Sequence, residues 1–244
     1  MLQNVLYNAV KTPKLLVLLS LTLSLLMACT QKQATSKNVF SYNEATGIAT
    51  LDPAFAKNQS IMWAVHQIYN TLVEIDSNLN IVPSLAKSWE VSDDRKTYRF
   101  HLRTNVYFTN DEAFKGGAGR KLVAADVAYS LGRIIDKTVA SSGAWIFNNR
   151  VDSVTPFVVI NDSTFELRLQ RPFHPIMGIL STQYCSVVPK EVVEKYGKDF
   201  RRHPCGTGPF VLKSWDEGEA MILHKNKNYW EVDSAGDRLP YIDA

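Results

Sequence analysis

One apolar run governs what this chain can be. Leu15 to Ala28 reads LLVLLSLTLSLLMA, 14 residues without a charge, behind Lys11 and Lys14. Crossing a bilayer core takes about 20 residues. The run is therefore too short for a membrane helix. It has the layout of a secretory signal: a basic start, a short apolar stretch and a small residue at the end. No second run of this kind follows before Ala244. The remainder is expected to fold as one or two water-exposed domains after export. A content of 45% hydrophobic and 21% charged residues suits a packed core and is wrong for a disordered chain. The formal charge of +3 belongs largely to the signal, because residues 1–28 hold Lys11 and Lys14 and no acid. Nucleic-acid binding needs a clustered basic excess. None exists, so no nucleic-acid partner is expected.

The run ends in Leu26-Met27-Ala28-Cys29, which resembles the lipobox of bacterial lipoproteins, although Met27 is bulkier than usual there. In that family the Cys thiol takes a diacylglycerol, and cleavage of the peptide bond before that Cys then leaves the residue as the new N-terminus. The resemblance implies a signal peptide over 1–28, lipid attachment at Cys29 and a membrane contact through that lipid. The alternative is a plain signal peptide that contains a cysteine. Residues 29–37 are polar and without periodicity, which reads as a tether. Export leaves Cys185 and Cys205 in an oxidising compartment. They flank a predicted helix, so a disulfide and two separate buried thiols are both open. Two cysteines are too few for a metal site, and no metal or cofactor is expected.

Val39–Tyr42 reads as a first strand, and Leu51-Asp52-Pro53 as a turn. Ile61, Val65, Ile68 and Leu72 share one helical face. Tyr98, Phe100 and Leu102 alternate with Arg99, His101 and Arg103, a half-buried strand. Val123, Val127, Leu131, Ile134 and Ile135 recur at helical spacing. Val158–Ile160, Asn161-Asp162-Ser163 and Thr164–Leu169 form a hairpin signature. Pro189 and Gly197 bracket a further helix, and a strand pair follows around Val211-Leu212 and Ala220–Leu223. The class is α/β or α+β, built mainly from hairpins.

Seven blocks carry more information than periodicity. They are TLDP (50–53), IYNTLV (68–73), IVPSLAKSWEVSDD (81–94), YRFHLRTNVYF (98–108), VAADVAYSLGR (123–133), GTGPF (206–210) and NKNYW (226–230). In this order they resemble the extracytoplasmic solute-binding proteins of the oligopeptide/dipeptide/nickel class, which feed ABC importers. One departure stands out. Asn110 to Lys121 is longer than the family's turn and carries Gly116-Gly117-Ala118-Gly119. It lacks the GxxxxGK[ST] spacing of a phosphate cradle and is expected to be an inserted surface loop.

The resemblance implies an α/β fold like the type II periplasmic binding proteins, with an extra inserted subdomain. Family members are longer, and LPYIDA (239–244) is similar to a family block that precedes another strand. An incomplete fold is therefore expected, with weak solute binding by this chain alone because one wall of the cleft is missing: residues 38–74 and 205–244 as part of lobe I, and 75–204 as the small inserted subdomain. The implied work is capture rather than catalysis. Two lobes close on an oligopeptide or dipeptide, or a similar solute, and the closed form docks on an ABC permease complex in the inner membrane. The setting is periplasmic or otherwise extracytoplasmic, lipid-anchored to a bacterial membrane.

The family's cleft is lined just after its LDP block, which carries over to Lys57, Asn58, Gln59 and Ser60. A cation, two amides and a hydroxyl suit carbonyl or carboxylate ligands. Asn58 or Ser60 would equally cap the following helix. Trp145 reads first as a buried core tryptophan and second as a candidate cleft aromatic. Gly206, Thr207, Gly208 and Pro209 are candidate hinge residues or a structural turn. No catalytic residue is expected. His66, His101, His174, His203 and His224 are scattered, HExxH and GxSxG are absent, and Asp93-Asp94 sits in a turn beside Arg95 and Lys96. A lipid-anchored peptide sensor or chaperone remains an alternative to transport.

Overall fold

The computed structural model describes residues 38–244. The signal over 1–28, Cys29 and the tether over 29–37 lie outside the described residues. Alternation sets the main sheet. In β4 (Thr97–Leu102), Tyr98, Phe100 and Leu102 are buried on one face while Arg99 points away. Its neighbours are β3 (Ala86–Val91) and β6 (Thr164–Arg168), and β5 (Phe157–Asn161) closes the order β3-β4-β6-β5, every pair antiparallel. The register sets Trp89 and Phe165 on either side of Phe100. The Phe100 and Phe165 rings stack at 6.2 Å. Such cross-strand aromatic pairs are the units that hold a sheet together.

The apolar face is covered by α2, which runs Ala124–Ile135 and follows α1 (Gln59–Ile68) in the chain. Val127, Leu131 and Ile134 are buried, as the spacing predicts. Asp126 turns back so that its Oδ2 accepts from Val123 N at 2.9 Å, capping the first turn. On the opposite face, Glu166 is only 3% exposed. It lies between Arg99 (2.7 Å) and Arg168 (2.8 Å). Burial alone would raise its pKa. The two guanidinium groups outweigh that and hold the carboxyl below the usual range.

Two smaller hairpins complete the strands: β1 (Val73–Ile75) with β2 (Ile81–Pro83), and β7 (Phe210–Asp216) with β8 (Ala220–Lys225). A short helix, α3 (Ile176–Leu180), has no counterpart in the sequence reading, because five residues are too few for a 3.6 period to register. α4 (Lys190–Tyr196) ends at Gly197, whose φ of 52° needs a residue without a Cβ. The expected strand Val39–Tyr42 does not form. Its segment is extended, and Phe40 N donates to Ala244 O (2.9 Å) while Asp243 N donates to Asn38 O (2.7 Å). Two bonds to one short segment make contact but no ladder.

Residues 38–244 form one compact unit. Leu51, Ile61 and Leu72 share a continuous core with Phe100, Leu131 and Val188 and with Cys205 and Trp215. The long loop from Asn110 to Lys121 is pinned rather than loose. Arg120 reaches Asp126 (2.6 Å) and Glu191 (2.6 Å), and Lys195 pairs with Glu112 (2.7 Å).

Candidate functional site

The site is built from the turn before α1. Asp52 caps a short 3-10 turn, Pro53–Phe55, with Oδ1 accepting from Ala54 N at 3.0 Å. Asn58 is the cap of α1, its Oδ1 accepting from Ile61 N at 3.2 Å. Ser60 is buried, and its single hydroxyl proton is shared between Gly47 O (3.1 Å) and Asn58 Oδ1 (3.2 Å). The capping role open for Asn58 is thus real, and Ser60 supports it from inside. Lys57 and Gln59 are exposed at the mouth of the helix. Among the described residues, Gln59 N and Ser60 N at the first turn of α1 have no hydrogen-bond partner, while Ile61 N is taken by the Asn58 cap. A cation, an amide and unpaired donors at one spot suit a carbonyl- or carboxylate-bearing solute.

Trp145 is 59% exposed, which overturns the core reading for it. It rides on a short 3-10 turn, Ala144–Ile146, anchored by buried Ile146 and Phe147. Arg150 clamps the turn by donating from Nη1 to Trp145 O (2.9 Å) and Ile146 O (2.6 Å).

Below the turn sits a buried ion pair. Arg133 Nη1 donates to Asp52 Oδ1 (3.0 Å) and Nη2 to Asp52 Oδ2 (2.7 Å), with side chains 10% and 8% exposed. The guanidinium also lies 5.5 Å from the Phe200 ring centre. Tyr69 packs nearby, fully buried, and its hydroxyl has no hydrogen-bond partner among the described residues. Burial, followed by the charge of Asp52, pushes that hydroxyl's pKa well up.

Gly206–Pro209 is a close-packed junction. Thr207 is wholly buried, and its Oγ1 donates to Asn70 Oδ1 at 3.0 Å. Gly208 N donates to Ile68 O, and Thr109 N donates to Gly206 O, each at 2.9 Å. Asn226 Nδ2 donates to Gly208 O (2.9 Å), and Trp230 Nε1 reaches Asn70 Oδ1 (3.3 Å). Three of the sequence blocks, IYNTLV, GTGPF and NKNYW, therefore meet at one knot around Asn70.

A cavity of about 320 Å³ opens at the other end of α1, lined among others by His66, Asn70, Glu74, Phe210, Glu231 and Tyr241. Sequence reasoning did not anticipate it, since its walls come from segments far apart in the chain. Its carboxylates are engaged: Ser84 Oγ donates to Glu74 Oε1 (2.8 Å), and Tyr229 OH to Glu231 Oε2 (2.7 Å). Among the described residues, no three His, Cys, Asp or Glu side chains gather closely enough to hold a metal ion.

Cys185 and Cys205 are not paired. Both are free and buried. Cys205 Sγ donates to Thr109 O at 3.3 Å and accepts from Thr109 Oγ1 at 3.6 Å, contacts a disulfide would displace. Burial pushes both thiols up to about 12, so almost no thiolate exists at neutral pH. Alkylation of the native protein at pH 8 should therefore spare both. Alkylation after unfolding without reductant should label both, read by peptide mapping. A linked Cys185–Cys205 peptide would contradict this.

Residues 80–244 match the bacterial extracellular solute-binding proteins, family 5 Middle. The chain is 32% identical over 205 residues to the probable ABC transporter periplasmic-binding protein SapA of Escherichia coli K12, covering 78% of this chain and 37% of that protein. It is 27% identical over 199 residues to the glutathione-binding protein GsiB of Salmonella choleraesuis, covering 82% and 36%. Among solved structures, it superposes on Helicobacter pylori DppA in complex with the peptide STSA with a TM-score of 0.68 and 28% identity, over 76% of this chain and 38% of that one. Listeria monocytogenes OppA bound to peptide shares the fold, with a TM-score of 0.72 at 21% identity, over 81% and 40%. The chain thus spans well under half the length of the relatives it matches. An α/β arrangement that superposes on part of the type II periplasmic binding proteins, with a family match over most of the described residues, places it: the chain belongs to the family 5 bacterial extracellular solute-binding proteins.

Proposed function

We propose that this protein captures peptides outside the cytoplasm and delivers them to an ABC permease. The observation that carries the reading is the exposed pair Lys57 and Gln59 at the open N-terminus of α1. Exposed Trp145 adds an aromatic group to the candidate cleft. Peptide ligands fit such a set, because a cation and free donors meet carbonyls and a terminal carboxylate while an aromatic face tolerates varied side chains. Relatives point the same way: one is named for peptide transport, and one solved neighbour holds a tetrapeptide. In this reading residues 38–74 and 205–244 contribute to one lobe and 75–204 form the inserted subdomain. Gly206–Pro209 is the anchored base of the connection between them, and Cys29 carries the lipid that keeps the protein at the membrane.

The test is titration with Ser-Thr-Ser-Ala and a mixed tripeptide pool, followed by tryptophan fluorescence. Saturable quenching is expected. Lys57→Ala should weaken it about tenfold, the loss of one charge-assisted bond. Equal affinity in wild type and Lys57→Ala would contradict the assignment. For the anchor, labelled palmitate should enter the wild-type protein and not Cys29→Ser, and equal labelling would remove that part of the reading.

A further inference from the structure

The two stretches proposed to touch the solute are far apart in sequence, and the structure ties both to the same few atoms. Asp52 stands five residues before Lys57. Its carboxylate is gripped by Arg133 through two bonds, at 3.0 and 2.7 Å. Two residues later, Ala54 O accepts from Ser141 Oγ at 2.5 Å. The same Ser141 Oγ accepts from Gly143 N at 3.0 Å, two residues before Trp145. Gly143 is pressed against the Tyr184 ring so closely that a Cβ there would lie 2.5 Å from Cδ1. The lines of contact therefore run from α2 through Asp52 and Ala54 to Ser141, Gly143 and the Trp145 turn. Every link is buried, so water does not compete for these bonds. Two bonds in a fork, unlike a single ion contact, fix orientation as well as distance.

We infer that Arg133 and Ser141 are positioning residues: together they form a brace that sets the spacing between Trp145 and the exposed pair Lys57 and Gln59. Neither side chain touches the proposed cleft surface; each acts through the turn it holds. The consequence for peptide affinity rests on the capture reading above, whereas the brace itself is a property of the free protein.

The experiment compares amide hydrogen exchange in wild type, Arg133→Lys and Ser141→Ala, with Leu167→Ala in β6 as a control that removes core volume from a strand paired only with β4 and β5. Arg133→Lys keeps the charge and loses the fork. Ser141→Ala loses both of its bonds and little volume. The brace predicts at least tenfold faster exchange at Lys57, Ile61 and Met62 and at Ile146 in both brace variants, with β4 amides unchanged. Leu167→Ala should leave those four amides as in wild type. Unchanged exchange at these positions, or an equal rise throughout β4, would overturn the inference. Peptide titration of the same proteins should then show at least tenfold weaker binding in the brace variants and wild-type affinity in the control. A wild-type protein that binds no peptide would defeat the capture reading and leave the exchange result to decide the brace.

Discussion

Gly206→Ala and Gly208→Ala are each expected to destabilise the protein by about 3 kcal/mol or more, the upper range for forced overpacking. Neither glycine is needed for an unusual backbone angle; both are needed for closeness. A Cβ on Gly206 would stand 2.1 Å from Ile68 O and 2.7 Å from Tyr69 Cδ1. On Gly208 it would stand 2.5 Å from Ile68 C. The neighbour in each case is the backbone at the end of α1, which has no rotamer to escape into. Moving it would break the Gly208 N to Ile68 O bond and disturb the buried Thr207–Asn70 pair. Gly132 supplies the contrast. It lies inside α2, and among the described residues nothing outside its own helix backbone stands within 4 Å of its added Cβ. Gly132→Ala should therefore stabilise by about 0.5–1 kcal/mol through helix propensity. Urea unfolding of the three variants checks this. Wild-type stability in Gly206→Ala and Gly208→Ala would refute the packing account.

Arg133→Met should cost about 3–5 kcal/mol, because Asp52 would be left as an uncompensated buried charge. The pair's net worth is smaller than that loss. Its Coulomb attraction is largely offset by the cost of taking both ions out of water. The double variant Asp52→Asn/Arg133→Met removes the stranded charge and keeps an oxygen for Ala54 N. It should regain more than half of the lost stability. If the double variant is no more stable than Arg133→Met, the charge is not the source of the cost. Recovered stability need not restore the fork, so this variant separates folding from the spacing set by Arg133.

Much of the fold was legible from local pattern. The face of Ile61, Val65 and Ile68 and the alternation of Tyr98, Phe100 and Leu102 are period signals and are buried as read, although α1 ends at Ile68 and Leu72, read on the same helical face, lies beyond it. The turn at Asn161–Thr164 and the helix stop at Gly197 follow from side-chain chemistry and backbone freedom. α3 was not legible, since five residues leave no period. Val39–Tyr42 failed as a strand because a strand is defined by its partner, and pairing is not local information.

The site divides the same way. The helix cap at Asn58 could be read from its place before an apolar run. The pairing of Asp52 with Arg133 could not. Each lies in a recognisable block, TLDP and VAADVAYSLGR, yet 81 positions separate them and nothing in either block names the other. Trp145 illustrates a further limit. Composition favours burying a tryptophan, while the surrounding turn, held by Ile146, Phe147 and Arg150, presents this one to solvent. The cavity between Glu74 and Glu231 likewise exists only once distant segments meet at the Asn70 knot.

The most direct test of the account is residue-resolved NMR of the ¹⁵N-labelled protein during titration with Ser-Thr-Ser-Ala and the tripeptide pool. It detects binding even at millimolar dissociation constants, about −4 kcal/mol. The account predicts saturable shifts at the amides of residues 57–60 and at the Trp145 indole N–H, with β7 and β8 unmoved. Shifts confined to other surfaces, or none at millimolar peptide, would contradict it.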